Sequence, residues 1–324
     1  MSDQPPLAAD RPLNTEKVSA TLEQFEDLPH ATPVLLGSGW DHDAYQYGGH
    51  VFRFPRRANV VPFVERERKL LRLINQAVTL ATPVVTHVGR PTAAFPYPFL
   101  GYQHIAGESG YDETTVDTQA FAPVLGRTLA ELHGIERAVI PEDVTTDRAT
   151  PKDALSAFDQ KRSLLRELIP ADIVDLWEPY FANAVEPPEP TPQQRFIHGD
   201  CSTEHFIFDA DGRAVGMIDF TDARMGDPAS DFVIGQYFFG DEFTATALRT
   251  YADAGGFIDD GLHDRVRWHA HLAPLDWLCE AIEYDAVAFK ARPDAVDNLH
   301  HVGKHQDWLR RHAGHVRRAQ RLGR

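Results

Sequence analysis

Apolar positions in this chain alternate with a period of two in some stretches and recur at helical spacing in others. From Pro33 the alternation predicts short strands over 34–36, 44–47 and 51–54, joined by the polar loop Gly37-Ser38-Gly39-Trp40-Asp41-His42-Asp43 and by a Gly48-Gly49 turn. The spacing of Leu70, Leu71 and Ile74 then predicts a helix that opens at Val64-Glu65-Arg66-Glu67. An apolar, proline-bounded run over 97–105 reads as a further strand ending before Gly107. Phe121, Val124, Leu125, Leu129 and Leu132 mark one face of a helix over 120–133 that stops at Gly134. After a Pro-rich linker over 187–194, two strands over 205–209 and 214–218 flank the turn residues Ala210-Asp211-Gly212. Helical patterns over 232–239, 243–251 and 268–290 follow, interrupted by Gly255-Gly256. Strands gathered early and helices late predict a chain of mixed α and β structure.

Composition narrows the class without naming the chemistry. With 324 residues the chain can bury a core in each lobe, and 43% hydrophobic with 25% charged residues is ordinary for a globular protein. A net charge of -16 argues against sequence-independent nucleic-acid binding. The end of the chain is the exception, since residues 300–324 hold seven Lys and Arg against one Asp, a pattern expected of a basic surface helix packed on the acidic body. The first ten residues, MSDQPPLAAD, lack the basic and apolar regions of a signal peptide, and no apolar run approaches the roughly 18 residues of a membrane span. A cytoplasmic monomer without membrane or nucleic-acid partners is the expectation. Cys201 and Cys279 fit no disulfide framework or ligand spacing, and nothing near Cys201 completes a nucleophilic arrangement.

The densest chemistry lies between Phe196 and Phe232, FIHGDCSTEHFIFDADGRAVGMIDFTDARMGDPASDF. Asp200 precedes the first strand of the hairpin and Asp219 ends the second, so a hairpin of this length brings both carboxylates to one open end, spaced for a phosphate and a metal ion. Asp200 is followed after four residues by His205, and Asp219 heads Asp219-Phe220-Thr221. Protein kinases use a related order, H-R-D, four residues, Asn, and later D-F-G, in which the first Asp orients the acceptor hydroxyl and the Asn and second Asp hold metals. No G-x-x-x-x-G-K-[ST] occurs, which removes the P-loop class, and the glycine loop at Gly37-Ser38-Gly39 has His42 where a third glycine would stand. Arg53, between Phe52 and Phe54, points to the opposite face of its strand from theirs.

This string resembles the signature of the aminoglycoside phosphotransferase family, with H-G-D, four residues, Asn or His, then I-D-[FW], then G-D-P or D-D-P and a further Asp. GMIDFTDARMGDPASDF and FFGDEFTATALRTYADAGG look most like its macrolide 2'-phosphotransferases. The resemblance spans about residues 34–290 and implies an α+β, protein-kinase-like fold of two lobes, a small antiparallel-sheet N-lobe over 20–103 and a mostly helical C-lobe over 104–324. It also implies ATP or GTP as phosphoryl donor and Mg²⁺ as cofactor. Asp200 would then position the acceptor, and His205 and Asp219 would ligate the metal. Arg53 stands where kinases keep a phosphate-binding Lys, with Glu67 as its partner and Ser38 in the covering loop. The strand ending at Gln103, His104 and Ile105 corresponds to the hinge that contacts the purine through backbone groups. Asp227 and Asp231 would hold the catalytic loop and start the next helix, with Asp231 fitting an N-cap.

The expected reaction is O-phosphorylation of a small hydroxylated acceptor, a macrolide first and an aminoglycoside or a metabolite second. Candidate acceptor residues are Asp231, Tyr237, the acidic stripe Asp276, Glu280 and Glu283 at i, i+4, i+7, and the apolar Trp277. Two other classes stay open. One is a metal-dependent phosphohydrolase built on His198, Asp200 and His205. The other is a catalytically silent kinase-like binding protein.

Overall fold

A computed structural model describes residues 9–39, 41–110, 115–147, 152–153, 188–271 and 273. Asp276, Trp277, Glu280, Glu283 and the basic tail lie outside the described residues.

The first lobe is a five-stranded antiparallel sheet of β1 (Val34–Ser38), β2 (His42–Tyr47), β3 (His50–Pro55), β4 (Val85–Gly89) and β5 (Phe99–Gln103), in the order β1-β2-β3-β5-β4. Strand alternation divides its side chains cleanly. Tyr45, Phe52, Phe54 and Phe99 form one face and pack under Val18 and Leu22 of α1 (Thr15–Leu22), a helix that the periodicity of the sequence does not predict. Leu100 and Tyr102, on the other face, join Leu70, Leu71 and Ile74 of α2 (Val61–Ala77). Register places Arg53 opposite Ala44 and Leu100, and so on this second face, as the alternation predicted.

Three further elements build the second lobe around the site: the strand pair β7 (Arg195–Ile197) and β10 (Arg224–Gly226), the small sheet β6 (Glu108–Ser109), β8 (Phe206–Phe208) and β9 (Ala214–Met217), and the helix pair α3 (Thr118–His133) and α4 (Gly240–Asp253). Gly126 of α3 lies so close to the backbone of Ala247 that any side chain there would collide with it, which fixes the helix pair at short range. One apolar core runs from Leu70 and Tyr102 through Phe121, Leu125 and Leu129 to Phe206, Phe220 and Tyr251. The lobes are also joined by backbone, because Ala81 bridges Gly216 and its carbonyl accepts the Met217 N–H at 2.8 Å. The result is the α+β, two-lobed kinase-like architecture expected from the sequence.

Several local expectations change. His205 is not the first residue of a strand but the last of a 3₁₀ turn, Thr203–His205, so its ring leaves the hairpin axis. The helix expected over 232–239 is instead the end of a 3₁₀ turn (Pro228–Phe232) and a π-helical turn (Gly235–Phe239), and α4 begins at Gly240 rather than at 243. Asp227 is the N-cap of the 3₁₀ turn, accepting from Ala229 N–H at 3.0 Å; Asp231, expected in that role, sits inside the turn. Helix then resumes over 262–271. Among the described residues no helix is long and apolar enough to cross a membrane.

Candidate active site

Arg53 is the centre of the arrangement. Its Nη1 donates to Glu67 Oε1 at 2.7 Å and its Nη2 to Asp219 Oδ1 at 2.9 Å, so one guanidinium joins β3, α2 and the end of the β8–β9 hairpin. Nη2 also reaches His42 Nδ1 at 3.3 Å. Burial disfavours the charge on Arg53, but Asp219 and Glu67 together more than offset this and hold it fully ionised. Burial raises Glu67 against the opposing pull of Arg53. Arg66, one residue earlier on α2, donates to the Thr221 carbonyl at 2.8 Å and lays its guanidinium over the Phe63 ring. Two successive residues of α2 thus hold the strand cation and the turn that carries Asp219.

The loop that carries Asp200 is fixed from three sides. His198 is fully buried; its Nε2–H donates to the Ile218 carbonyl at 3.0 Å, and its Nδ1 accepts from Asp200 N–H at 3.3 Å. His205 Nδ1–H donates to the Asp200 carbonyl at 2.7 Å. Gly199 has φ 84° and packs against Arg224 and the Asp222 carbonyl, a place and a conformation that favour glycine. The peptide of Asp200 is therefore bonded on both sides while its side chain is 54% exposed.

Asp231 corrects the sequence reading. It is fully buried, and its two oxygens accept from His198 N–H at 2.7 Å, Gly199 N–H at 3.0 Å and His133 Nε2–H at 3.0 Å. A carboxylate so enclosed has no surface for a substrate. Although burial works to raise it, the bond from His133 and the surrounding donors keep Asp231 below the usual carboxylate value. His133 accepts at Nδ1 from the Tyr251 hydroxyl at 3.0 Å, and that hydroxyl accepts from Phe257 N–H at 3.1 Å, so the network is satisfied from end to end.

His205 stands between the two acids. Because Nδ1 is committed to the Asp200 carbonyl, Nε2 is the nitrogen turned toward Asp219, 3.9 Å from Oδ2. Burial lowers the His205 pKa, but Asp200, Asp219 and Glu204 outweigh it and the net shift is upward. Asp219 shows the converse: burial pushes it up, and Arg53, His205 and the Thr221 hydroxyl bring it well below the usual range. One nitrogen and one carboxylate oxygen at this separation suit a hard divalent ion that takes one or two protein ligands and completes its shell with phosphate oxygens and water. Among the described residues no group of three or more His, Cys, Asp or Glu is placed to hold a metal. The phosphohydrolase alternative would use His198 as a ligand, but both of its ring nitrogens are bonded within the protein. Cys201 is buried with its thiol pushed up by burial, away from any nucleophilic role.

Of the remaining predicted residues, Ser38 is exposed at the end of β1, and Gly39 N–H donates to the His42 carbonyl at 2.9 Å, closing the loop tightly. At the hinge, Gln103 N–H is bonded to the Val84 carbonyl and His104 N–H to the Gly49 carbonyl, and the Ile105 side chain lies over Gly216. Tyr237 is half-buried in the π-helical turn, its ring edge-on to Phe238 at 5.0 Å.

Sequence reasoning passed over four residues that the structure brings here. His42 was noted only as an interruption of the glycine pattern, and Arg66 only as part of the helix opening. Glu204 and Asp222 had no signal beyond their neighbours; burial raises both, reinforced at Asp222 by Asp200 and Asp219 and at Glu204 by Asp200 against His205.

A two-lobed fold in which a strand cation, a helix glutamate and a hairpin-borne acid meet, with a histidine between that acid and an exposed aspartate, defines a kinase-like phosphotransferase. A family model described as the phosphotransferase enzyme family matches residues 33–269, and the chain belongs to that family. An uncharacterized protein of Bacillus subtilis (strain 168), YcbJ, is 30% identical over 224 residues, 64% of this chain and 69% of its own length. Among solved structures, wild-type aminoglycoside 2'-phosphotransferase-IIIa in its GDP complex superposes with a TM-score of 0.71 at 21% identity, covering 93% of this chain and 99% of that one. Macrolide 2'-phosphotransferase type I gives 0.62 at 21% identity over 86% of this chain and 95% of that one.

Proposed function

We propose that this protein transfers the γ-phosphoryl group of ATP or GTP to a hydroxyl of a small molecule, a macrolide in the first instance. The observation that carries the reading is the single guanidinium of Arg53 joining Glu67 to Asp219, with His205 between Asp219 and an exposed, backbone-fixed Asp200. Arg53 steadies the donor phosphates, Glu67 holds Arg53 in place, and Ser38 lies in the loop that covers them. The purine edge meets the backbone of Gln103, His104 and Ile105 through groups other than the Gln103 and His104 N–H, which are bonded to the Val84 and Gly49 carbonyls. His205 Nε2 and Asp219 Oδ2 hold Mg²⁺, which when bound offsets charge on the phosphates. Asp200 accepts the proton of the acceptor hydroxyl or aligns it for in-line attack, and its pinned peptide means little reorganisation is needed at that step. Residues 20–103 serve the nucleotide and 104–324 the chemistry and acceptor.

The macrolide reading draws on the GMIDFTDARMGDPASDF string and on the aromatic residues Tyr237 and Phe238, which offer an apolar wall. An aminoglycoside is the second reading, favoured by the acidic spacing of Asp276, Glu280 and Glu283. A panel of macrolides, aminoglycosides and simple alcohols assayed for triphosphate consumption tests both. Consumption with no member of the panel, together with no nucleotide binding, would refute the phosphotransfer reading.

A further inference from the structure

Thr221 stands where the kinase D-F-G has glycine, and it does more than fill the turn. Its hydroxyl donates to Asp219 Oδ1 at 2.8 Å and accepts from Arg53 Nη2 at 3.3 Å, while Arg53 Nη2 donates to the same Oδ1 at 2.9 Å. Its carbonyl is tied to α2 by Arg66. Asp219 has φ 62°, a left-handed conformation that is strained for a residue with a side chain and persists only where the surroundings hold it. Oδ1 is thereby occupied by two donors, and Oδ2 is left facing His205 Nε2.

An arginine opposite a carboxylate tends to close into a two-pronged pair, one N–H on each oxygen. Here it does not: Nη1 is spent on Glu67, and the Thr221 hydroxyl shares Nη2 and Oδ1 with it. We propose that Thr221 is a positioning residue that keeps Arg53 on one oxygen of Asp219, so that the other stays open to the metal–nucleotide complex. This rests on the phosphotransfer reading above. Loss of the hydroxyl takes an acceptor from Nη2, which, with Nη1 still on Glu67, then straddles Oδ1 and Oδ2 of Asp219 and competes with the metal.

The test uses the full-length protein with Mn²⁺ as the probe and a non-hydrolysable triphosphate analogue present, bound metal being followed by the loss of the free-ion paramagnetic resonance signal. Thermal unfolding checks that each variant is folded. Thr221→Val and the smaller Thr221→Ala should each weaken Mn²⁺ binding about tenfold, the usual scale for a lost hydrogen bond to a charged group, and Thr221→Ser should restore it. In an Arg53→Lys background, where the cation is a point charge without a fork, Thr221→Val should cost almost nothing. Unchanged Mn²⁺ affinity in both Val and Ala variants overturns the proposal. So does a Ser variant as weak as Val, or a penalty that persists undiminished beside Lys. Failure of the parent protein to bind metal and analogue at all would instead remove the phosphotransfer reading, and this proposal with it.

Discussion

Asp231 Oδ2 accepts the backbone N–H of His198 at 2.7 Å, and the same carboxylate takes Gly199 N–H and His133, so one buried acid sets the course of the loop that carries Asp200. Replacing it by Ala leaves the buried donors of His198 and His133 and the half-buried Gly199 N–H without an acceptor. Asp231→Ala should therefore lose about 3–5 kcal/mol of stability in denaturant unfolding near neutral pH. Because the folded-state pKa lies below the ordinary value, this contribution is complete above the unfolded pKa and is lost as pH falls through the folded one. The deficit of the variant should shrink in strong acid. A variant of parental stability would show that the loop is held by other contacts.

Much of this fold was legible because its determinants are local. Phe52-Arg53-Phe54 put the arginine on the other face of β3 by alternation alone, and the hairpin turn around Asp211-Gly212 placed Asp219 beside His205. What could not be read depends on partners far away in sequence. The burial of Asp231 follows from His133 of α3, and the use of both His198 nitrogens follows from the Ile218 carbonyl; neither leaves a periodic trace. Helix α1 was missed because it buries only Val18, Thr21 and Leu22, too few positions to establish a period. The π-helical turn at Gly235–Phe239 has the composition of an ordinary helix, and only its continuation into Gly240 with φ 81° marks the irregularity.

The exposed carboxylate of Asp200 should be needed for turnover and little else. Asp200→Asn keeps shape and backbone bonding but cannot take a proton, and should reduce kcat by roughly 10²- to 10⁴-fold. Nucleotide affinity, measured by equilibrium titration, should stay at the parental value. Near-normal turnover would take Asp200 out of the mechanism.

His205 is a softer donor than Mg²⁺ ordinarily takes, so its substitutions should separate a ligand from a structural role. An amide oxygen can take the place of the imidazole, whereas a methyl group cannot. His205→Asn should retain activity with Mg²⁺, and His205→Ala should raise the metal concentration needed for half-maximal rate. An Ala variant with unchanged metal dependence would mark the ring as a support for the Asp200 carbonyl only.

Burial, with Arg53 close by, pushes His42 down to about 3, so the folded protein keeps this ring neutral where an unfolded chain would protonate it. Between the ordinary histidine value and that lowered one, the unfolded state binds the extra proton, and stability falls as pH falls. His42→Gln removes this term. Its stability–pH curve should be flatter than the parent's across that window, by at most about 1.4 kcal/mol per pH unit. Superimposable slopes would mean that His42 titrates normally in the fold.

The acceptor side offers the last separation, between a cationic and an apolar ligand. Asp276, Glu280 and Glu283 recur at helical spacing and would read a protonated amine through their summed field, strongly if the site closes around it and weakly if water screens it. Glu280→Lys should then raise the KM of a cationic acceptor several-fold while leaving the KM of the nucleotide unchanged, since on the proposed function Arg53 of the N-lobe holds the donor. If Asp276, Glu280 and Glu283 can each be replaced by Ala with no change in acceptor KM, the acceptor is held elsewhere. The half-buried aromatics of the π-helical turn, Tyr237 and Phe238, would then be the place to look, and Tyr237→Ala should raise the KM of a macrolide more than that of an aminoglycoside.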